Sequence, residues 1–162
     1  MKFLDDFHFK KQFGQNFIFD KVLLSSIVNS LNFNNNTNVL EIGAGAGVLT
    51  EVLAENFNKV VSFEIDNTLI SHLQTLQQNH KNLSFVFNDV LKVETSSIDK
   101  MFNGEYSIIA NLPYYITSQI IFKFLFESNN IKNIAVMVQK EVAERFCAKI
   151  STKTYGIPTV LI

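Results

Sequence analysis

The stretch NVLEIGAGAGVLT, residues 38–50, is the part of this 162-residue chain that decides its fold. It begins as a short apolar run, passes through glycines at every second position, and resumes an apolar pattern at three- and four-residue spacing. This order predicts a buried strand, a tight loop and a helix. Glycines directly after a strand permit positive φ angles and let a ligand approach the backbone closely. The stretch therefore predicts a ligand-binding loop at the end of a strand.

The spacing of the three glycines argues against a phosphate-binding loop. A dinucleotide fingerprint, G-x-G-x-x-G, needs its third glycine at Val48 when counted from Gly43, or at Thr50 when counted from Gly45. A Walker loop would need G-K-[ST], which does not follow. These mismatches favour a nucleoside-type cofactor that lacks a pyrophosphate.

Further apolar runs of strand length alternate with helical patterns on the carboxyl side of this stretch. The predicted strands are NVLEI, KVVSFEID, LSFVFND, YSIIAN and NIAVMVQ. Alternation of this kind indicates βαβ units, and near-continuous apolar strands indicate burial on both sides. We therefore predict an α/β fold with a mostly parallel central sheet and helices on both faces. Before the first strand, VLLSSIVNSL predicts a helix that Asp20 can cap.

Polar residues follow four of the predicted strands, at the edge where ligands bind in such sheets. They are Glu41, Glu64, Asp89 and Asn111. Glu64 lies about 20 residues beyond the glycine loop, where a carboxylate can accept hydrogen bonds from ribose hydroxyls. Asp89 could accept from an adenine amine. The competing interpretation of these acids is helix capping, which suits Asp66 and also Asp89.

Four longer motifs carry a resemblance to a known family. The segments KKQFGQNFIFD (10–20), VLEIGAGAGVLT (39–50), NLPYYIT (111–117) and MVQKEVAERF (137–146) resemble the small-subunit ribosomal RNA adenine dimethyltransferases of the kasugamycin-sensitivity type. That family belongs to the Rossmann-like class I methyltransferases, which use S-adenosyl-L-methionine. The match runs from about residue 10 to the Tyr-Gly pair at 155–156, nearly the whole chain.

The resemblance implies a set of cofactor-binding residues. The N-terminal QNF segment would fold over the cofactor, the glycine loop would approach its methionine portion, and the strand-end acids would hold its ribose and adenine. The residues implied are Asn16, Ile18, Gly43, Gly45, Glu64, Ile65, Asp89, Val90 and Asn111.

The resemblance also gives chemistry to the turn Asn111-Leu112-Pro113-Tyr114. The Asn111 side-chain carbonyl and the Leu112 main-chain carbonyl would accept both hydrogens of an adenine amine, while Pro113 holds the turn and offers no competing N–H. Tyr114 would stack on the extruded base. For Tyr115 we expect a place in the core.

The substrate implied is small-subunit rRNA, dimethylated at the N6 amines of two adjacent adenosines near its 3′ end during ribosome biogenesis. RNA phosphates would be contacted by Lys10, Lys11, Lys140 and Arg145, although a solvated helix face explains the last two equally well. The net charge of −1 argues neither for nor against nucleic acid. The three histidines show no ligand spacing, so we predict no metal.

The remaining expectations concern organisation and location. We expect residues 1–162 to form one S-adenosylmethionine-binding catalytic domain, monomeric and cytoplasmic, with no membrane contact. The single Cys147 fits a reducing compartment, and we expect it to pack as a small apolar residue. Because the family continues into a small helical domain, we expect the natural protein to continue, and this chain to bind cofactor but methylate weakly or not at all.

Three alternatives stay open. The erythromycin-resistance methyltransferases share QNF and N-[IL]-P-Y but act on large-subunit rRNA. Non-catalytic nucleic-acid binders, such as mitochondrial transcription factors, derive from this fold, and a role in ribosome assembly would be of that kind. Protein glutamine methyltransferases use N-P-P-Y, but Leu112 in place of the first proline weighs against them.

Overall fold

The computed structural model describes residues 18–153, Gly156 and Thr159. In that part of the chain five strands alternate with six α-helices. The strands are β1 (Asn38–Ile42), β2 (Lys59–Glu64), β3 (Leu83–Phe87), β4 (Tyr106–Asn111) and β5 (Ile131–Met137). The helices are α1 (Lys21–Ser30), α2 (Val48–Asn56), α3 (Ile70–Asn79), α4 (Thr95–Asp99), α5 (Thr117–Glu127) and α6 (Lys140–Phe146). Two 3-10 turns, Asn67–Leu69 and Val90–Lys92, follow β2 and β3.

The five strands form one sheet in the order β3-β2-β1-β4-β5, and every pair is parallel. The chain moves outward from β1 to β3, then crosses back to place β4 on the other side of β1. This reversal creates a crevice above the carboxyl ends of β1 and β4, which is where open α/β sheets bind ligands. The predicted fold class is confirmed.

Each face of the sheet carries its own apolar core because successive strand residues point to opposite sides. On one face Val39 and Val60 pack with Leu24 of α1 and Leu53 of α2. On the other face the core residues come from alternate strand positions together with α4 and α5; they include Leu40, Val61, Ile98, Ile108, Ile120 and Phe124. Helices therefore cover both faces, as the continuous apolar strands predict.

Local signals behave as expected at two helix starts. Asp20 accepts a hydrogen bond from the Leu23 N–H at 3.0 Å, and Asp66 caps the first 3-10 turn through the Thr68 N–H at 3.0 Å.

The expectation that Cys147 packs as a small apolar residue is wrong, because Cys147 follows the short α6 and is exposed. No helix within the described residues is long and apolar enough to cross a bilayer.

Candidate active site

The glycine loop turns sharply at the end of β1 and is fastened to β2. The N–H groups of Gly43 and Ala44 both donate to the Phe63 carbonyl, at 2.8 and 3.2 Å. Gly43 has φ +84°, which L side chains rarely adopt, and a Cβ built on it would meet no atom within 4 Å. Gly47 differs, because its Cβ would lie 2.9 Å from Leu76 Cδ2. The loop is therefore open on the Gly43 side and packed on the Gly47 side.

Glu64 ties the end of β2 to this loop. Its side chain is buried, with 3% of its surface exposed. One carboxylate oxygen accepts the Gly45 N–H at 2.7 Å, and the other accepts the Asp66 N–H at 2.8 Å. Since each carboxylate oxygen has two lone pairs, both can accept a further hydrogen bond from a ligand hydroxyl.

Asp89 combines the two interpretations that the sequence left open. It caps the second 3-10 turn, because its Oδ1 accepts the Leu91 N–H at 3.0 Å. It also lines the same cavity as Glu64 and the glycine loop. Its neighbour Asn88 lines the cavity too and accepts the Asp89 N–H at 2.8 Å. Capping thus fixes the carboxylate at the cavity wall.

The Asn111-Pro113 turn leaves the end of β4 in a fixed conformation. The Leu112 N–H donates to the Met137 carbonyl at 3.0 Å, which extends the β4–β5 pairing by one residue. The Pro113 carbonyl accepts the Thr117 hydroxyl at 2.8 Å, a bond that joins the turn to the first residue of α5. Asn111 is half-buried, Leu112 is buried, and both face the crevice at the carboxyl edge.

These elements enclose a cavity of about 220 Å³ above the carboxyl ends of the strands. The predicted site residues that line it are Ile18, Gly43, Gly45, Glu64, Ile65, Asp89, Val90, Asn111, Leu112 and Pro113. Tyr114 is not among the described residues that line it, and 57% of its surface is exposed. Asn16, Lys10 and Lys11 lie outside the described residues.

Two expectations from the sequence are wrong. Tyr115 is not a core residue, because 48% of its surface is exposed and it lines the cavity. Glu41 shares the strand-end pattern of Glu64, which predicted a place at the ligand-binding edge. It instead lies behind the glycine loop, fully buried. Its Oε2 accepts the hydroxyls of Thr50 and Ser62 at 2.6 and 2.5 Å, whereas Oε1 has no hydrogen-bond partner among the described residues.

Burial also changes the acidity of Glu41. Loss of water around the carboxyl group raises its pKa from 4.5 to about 7. The hydroxyls of Ser62 and Thr50 oppose this rise, and the charge of Glu64 adds to it. Glu41 is thus a buried acid at the back of the site whose charge depends on pH near neutrality.

The site contains residues that sequence reasoning did not find. Asn88 carried no signal beyond its place next to Asp89. His72 of α3 has its Nε2 3.0 Å from the Ala46 carbonyl, so it supports the glycine loop from behind. No sequence pattern pointed to that contact, since it depends on how α3 packs. Among the described residues no group of three or more His, Cys, Asp or Glu side chains could hold a metal.

The predicted RNA-contacting cations that the structure describes lie on α6, which begins directly after β5. The Lys140 side chain is 83% exposed, with its Nζ 3.7 Å from Glu144 Oε1. Arg145 is also exposed. An exposed ion pair of this length is weak, so Lys140 can exchange Glu144 for another anion.

The strand order, the glycine loop after β1 and the carboxylate at the end of β2 define a class I, Rossmann-like methyltransferase, a class whose expected cofactor is S-adenosylmethionine. Solved structures agree. A dimethyladenosine transferase from Plasmodium falciparum superposes with a TM-score of 0.70 at 30% identity, over 86% of this chain and 49% of that one. The 23S rRNA methyltransferase ErmE superposes with a TM-score of 0.69 at 29% identity, over 80% of this chain and 50% of that one.

The chain belongs to the ribosomal RNA adenine dimethylase family, whose model matches residues 6–162. Curated relatives carry the name ribosomal RNA small subunit methyltransferase A. The relative from Caldanaerobacter subterraneus subsp. tengcongensis is 48% identical over 155 residues, which is 94% of this chain and 58% of the relative. That from Streptococcus thermophilus is 42% identical over 159 residues, 96% of this chain and 55% of the relative. The chain thus spans just over half the length of these relatives.

Proposed function

We propose that this chain is the catalytic part of an S-adenosylmethionine-dependent methyltransferase that dimethylates the N6 amines of two adjacent adenosines near the 3′ end of small-subunit rRNA. The observation that carries the proposal is one cavity shared by the glycine loop, Glu64, Asp89 and the Asn111-Pro113 turn. Membership of the adenine dimethylase family and the names of the curated relatives support this substrate.

The residues at the glycine-loop end fit a nucleoside cofactor. Gly43 leaves open space beside the backbone, where a methionine portion can lie close to the loop. Glu64 keeps lone pairs for two ribose hydroxyls while its bonds to the Gly45 and Asp66 N–H groups hold the carboxylate in place. Asp89 would accept from the adenine amine, and Ile18, Ile65 and Val90 would contact the apolar faces of the ring.

The turn at the end of β4 would prepare the acceptor amine. The lone pair of an adenine amine is delocalised into the ring, which makes it a poor nucleophile. Asn111 Oδ1 and the Leu112 carbonyl, accepting one hydrogen each, would localise that lone pair and direct it toward the cofactor end of the cavity. Pro113 offers no competing N–H, and its carbonyl is held by Thr117.

S-adenosylmethionine, when bound, would supply a methyl group on a sulfonium sulfur, which would leave as a neutral thioether as the methyl group passed to the amine nitrogen. The proton released from that nitrogen would pass to water, so no strong general base is required of the chain. Tyr114 projects outside the cavity and would stack on the extruded base, a contact worth about 1–3 kcal/mol. Asn111 and Leu112 therefore carry the orientation, and Tyr114 holds the substrate.

Binding of the rRNA would use the exposed cations Lys140 and Arg145, beside the carboxyl edge of the sheet. Lys10 and Lys11 remain part of the proposal, although they lie outside the described residues. We also propose a monomer acting in the cytoplasm, where the single Cys147 would remain reduced. Size-exclusion chromatography with light scattering checks the monomer.

A second candidate is methylation of large-subunit rRNA, favoured by the likeness to ErmE. Its site would use the same turn, so the cavity alone does not separate the two substrates. The identities of 42–48% to relatives named for the small subunit, against 29% to ErmE, favour the first candidate.

Labelled methyl transfer tests the proposal. The chain, in excess over undermethylated small ribosomal subunits so that slow transfer is measurable, should place label in small-subunit rRNA as N6-methylated adenosine. Asn111→Ala should bind S-adenosylmethionine in a calorimeter yet lose transfer by about 100-fold or more, because the amine is no longer oriented. Label found only in large-subunit rRNA would favour the second candidate. Label only in protein, or no calorimetric binding by the parent chain, would contradict both.

A further inference from the structure

Two adjacent tyrosines occupy different sides of the site. Tyr115 lines the cavity together with Glu64 and Asp89, whereas Tyr114 is not among the described lining residues and is the more exposed of the two. Their ring centroids lie 5.9 Å apart at 83°, in an edge-to-face arrangement. One ring thus faces inward and supports the other, which faces outward.

The Tyr115 ring lines the cavity together with acids that follow other strands of the sheet. Tyr115 follows β4, and Asp89 follows β3; in the order β3-β2-β1-β4 these two strands are separated by two others, about 14 Å at the sheet. Burial raises the pKa of the Tyr115 hydroxyl, and the negative charges of Asp89 and Glu64 raise it further. The hydroxyl therefore lies within electrostatic reach of both acids, at the cavity that all three residues line.

We propose that Tyr115 is a cofactor-positioning residue whose ring forms the outer wall of the cavity against the adenosine portion of S-adenosylmethionine. Tyr114 would then be left to hold the nucleotide substrate outside that wall. This inference rests on the proposed function, because it assigns Tyr115 a role within the same cavity. It places the second tyrosine of NLPYY against the cofactor and leaves the first for the nucleotide substrate.

The aromatic ring of Tyr115, rather than its hydroxyl, should provide its contribution to cofactor binding. An aromatic ring offers a flat apolar face to a purine or ribose, which a hydroxyl group alone does not. Phenylalanine keeps the face, whereas leucine removes it. Because Tyr115 is half-exposed, neither change should alter the stability of the cofactor-free chain by more than about 0.5 kcal/mol.

Calorimetry with S-adenosylmethionine on the 162-residue chain tests the inference. Tyr115→Leu should weaken binding about tenfold and Tyr115→Phe less than about twofold. Phe126→Leu, an exposed aromatic on α5, is the matched control and should bind as the parent does. Tyr114→Leu should weaken cofactor binding less than Tyr115→Leu while lowering methyl transfer.

The possible failures can be told apart. If the parent chain binds S-adenosylmethionine and Tyr115→Leu binds it equally tightly, this inference is overturned and the proposed function stands. Equal weakening by Tyr115→Phe and Tyr115→Leu would also overturn it, because the hydroxyl and not the ring would then matter. Equal weakening by Tyr114→Leu would overturn the division between the two rings. No binding by the parent would instead sink the proposed function.

Discussion

Glu64 and Glu41 are acids on neighbouring strands and the same face of the sheet, yet they serve different regions. Glu64 lies at the cavity wall, and two backbone N–H groups satisfy its carboxylate. Glu41 lies behind the glycine loop, where the hydroxyls of Thr50 and Ser62 reach only one of its oxygens. Their chemistry is identical, so the difference comes from position.

The register of the sheet sets that position. Glu41 is level with Ser62 in the β1–β2 pairing, so Glu64 lies two residues farther toward the carboxyl edge, about 6.6 Å. Beside Glu64, the chain that follows β1 has already turned into the glycine loop. An acid there faces the cavity, whereas an acid one step lower is covered by α2. The comparison shows that a polar residue near a strand end is not automatically a site residue.

Glu64→Ala should produce the largest effect. Two buried N–H groups, of Gly45 and Asp66, would lose their acceptor, which should lower the free energy of unfolding by about 4 kcal/mol. Binding of S-adenosylmethionine should weaken at least about 100-fold, since two charge-assisted hydrogen bonds are lost. Denaturant unfolding and calorimetry measure the two effects. Glu105→Ala, an exposed acid, is the control, and a Glu64→Ala variant that binds cofactor normally would contradict the assignment.

Glu41 should make stability depend on pH. Between pH 4.5 and 7 the unfolded chain loses the Glu41 proton while the folded chain keeps it, because the folded pKa is about 7. Raising the pH across this window should therefore lower the free energy of unfolding through Glu41, by about 3 kcal/mol at most. Below pH 4.5 this contribution is constant.

Glu41→Gln removes that titration. Unfolding curves between pH 4 and 8 should show the parent losing stability relative to Glu41→Gln by about 3 kcal/mol as the pH rises. The curve for Glu105→Gln should run parallel to the parent's. A parallel curve for Glu41→Gln would show that this acid is not held protonated behind the loop.

The two sides of the glycine loop should respond differently to alanine. Gly47→Ala should cost about 2 kcal/mol, because φ is +81° and the new methyl group would lie 2.9 Å from Leu76 Cδ2. Gly43→Ala meets open space, so its cost to stability should be only the backbone strain, about 1 kcal/mol, while its methyl group narrows the cofactor end. Thermal unfolding measures the loss of stability, and cofactor titration measures the loss of binding. Equal effects of Gly43→Ala and Gly47→Ala on both measurements would contradict the difference between the two sides of the loop.

The smallest effect should come from Asp89, which has a capping role as well as a place at the cavity. Asp89→Ala should lower stability by about 1 kcal/mol and weaken cofactor binding about tenfold. Asp89→Asn keeps a good capping side chain, so it should restore stability. If Asp89→Asn recovers stability without fully recovering cofactor binding, the capping role and the binding role of Asp89 are distinguished. Parent-like binding by Asp89→Ala would leave capping as its only role.

Most of the fold could be predicted from the sequence because its signals are local. Continuous apolar runs mark the strands, and the glycines after β1 mark the loop. Acids at Asp20 and Asp66 mark helix starts through hydrogen bonds that span only two or three residues. Each of these signals depends on backbone geometry within a few positions, so it survives without knowledge of packing.

The amino-acid sequence by itself thus determined the α/β class, the glycine loop and the candidate residues at strand ends. Only the tertiary structure decided which of them share a cavity. Whether Glu41 joins Glu64 there depends on strand register. Whether Tyr115 enters the core depends on how the turn is placed against β5, where the Leu112 N–H donates to the Met137 carbonyl. The physical reason is that both outcomes arise from contacts between segments distant in sequence, and no spacing within a single segment encodes them.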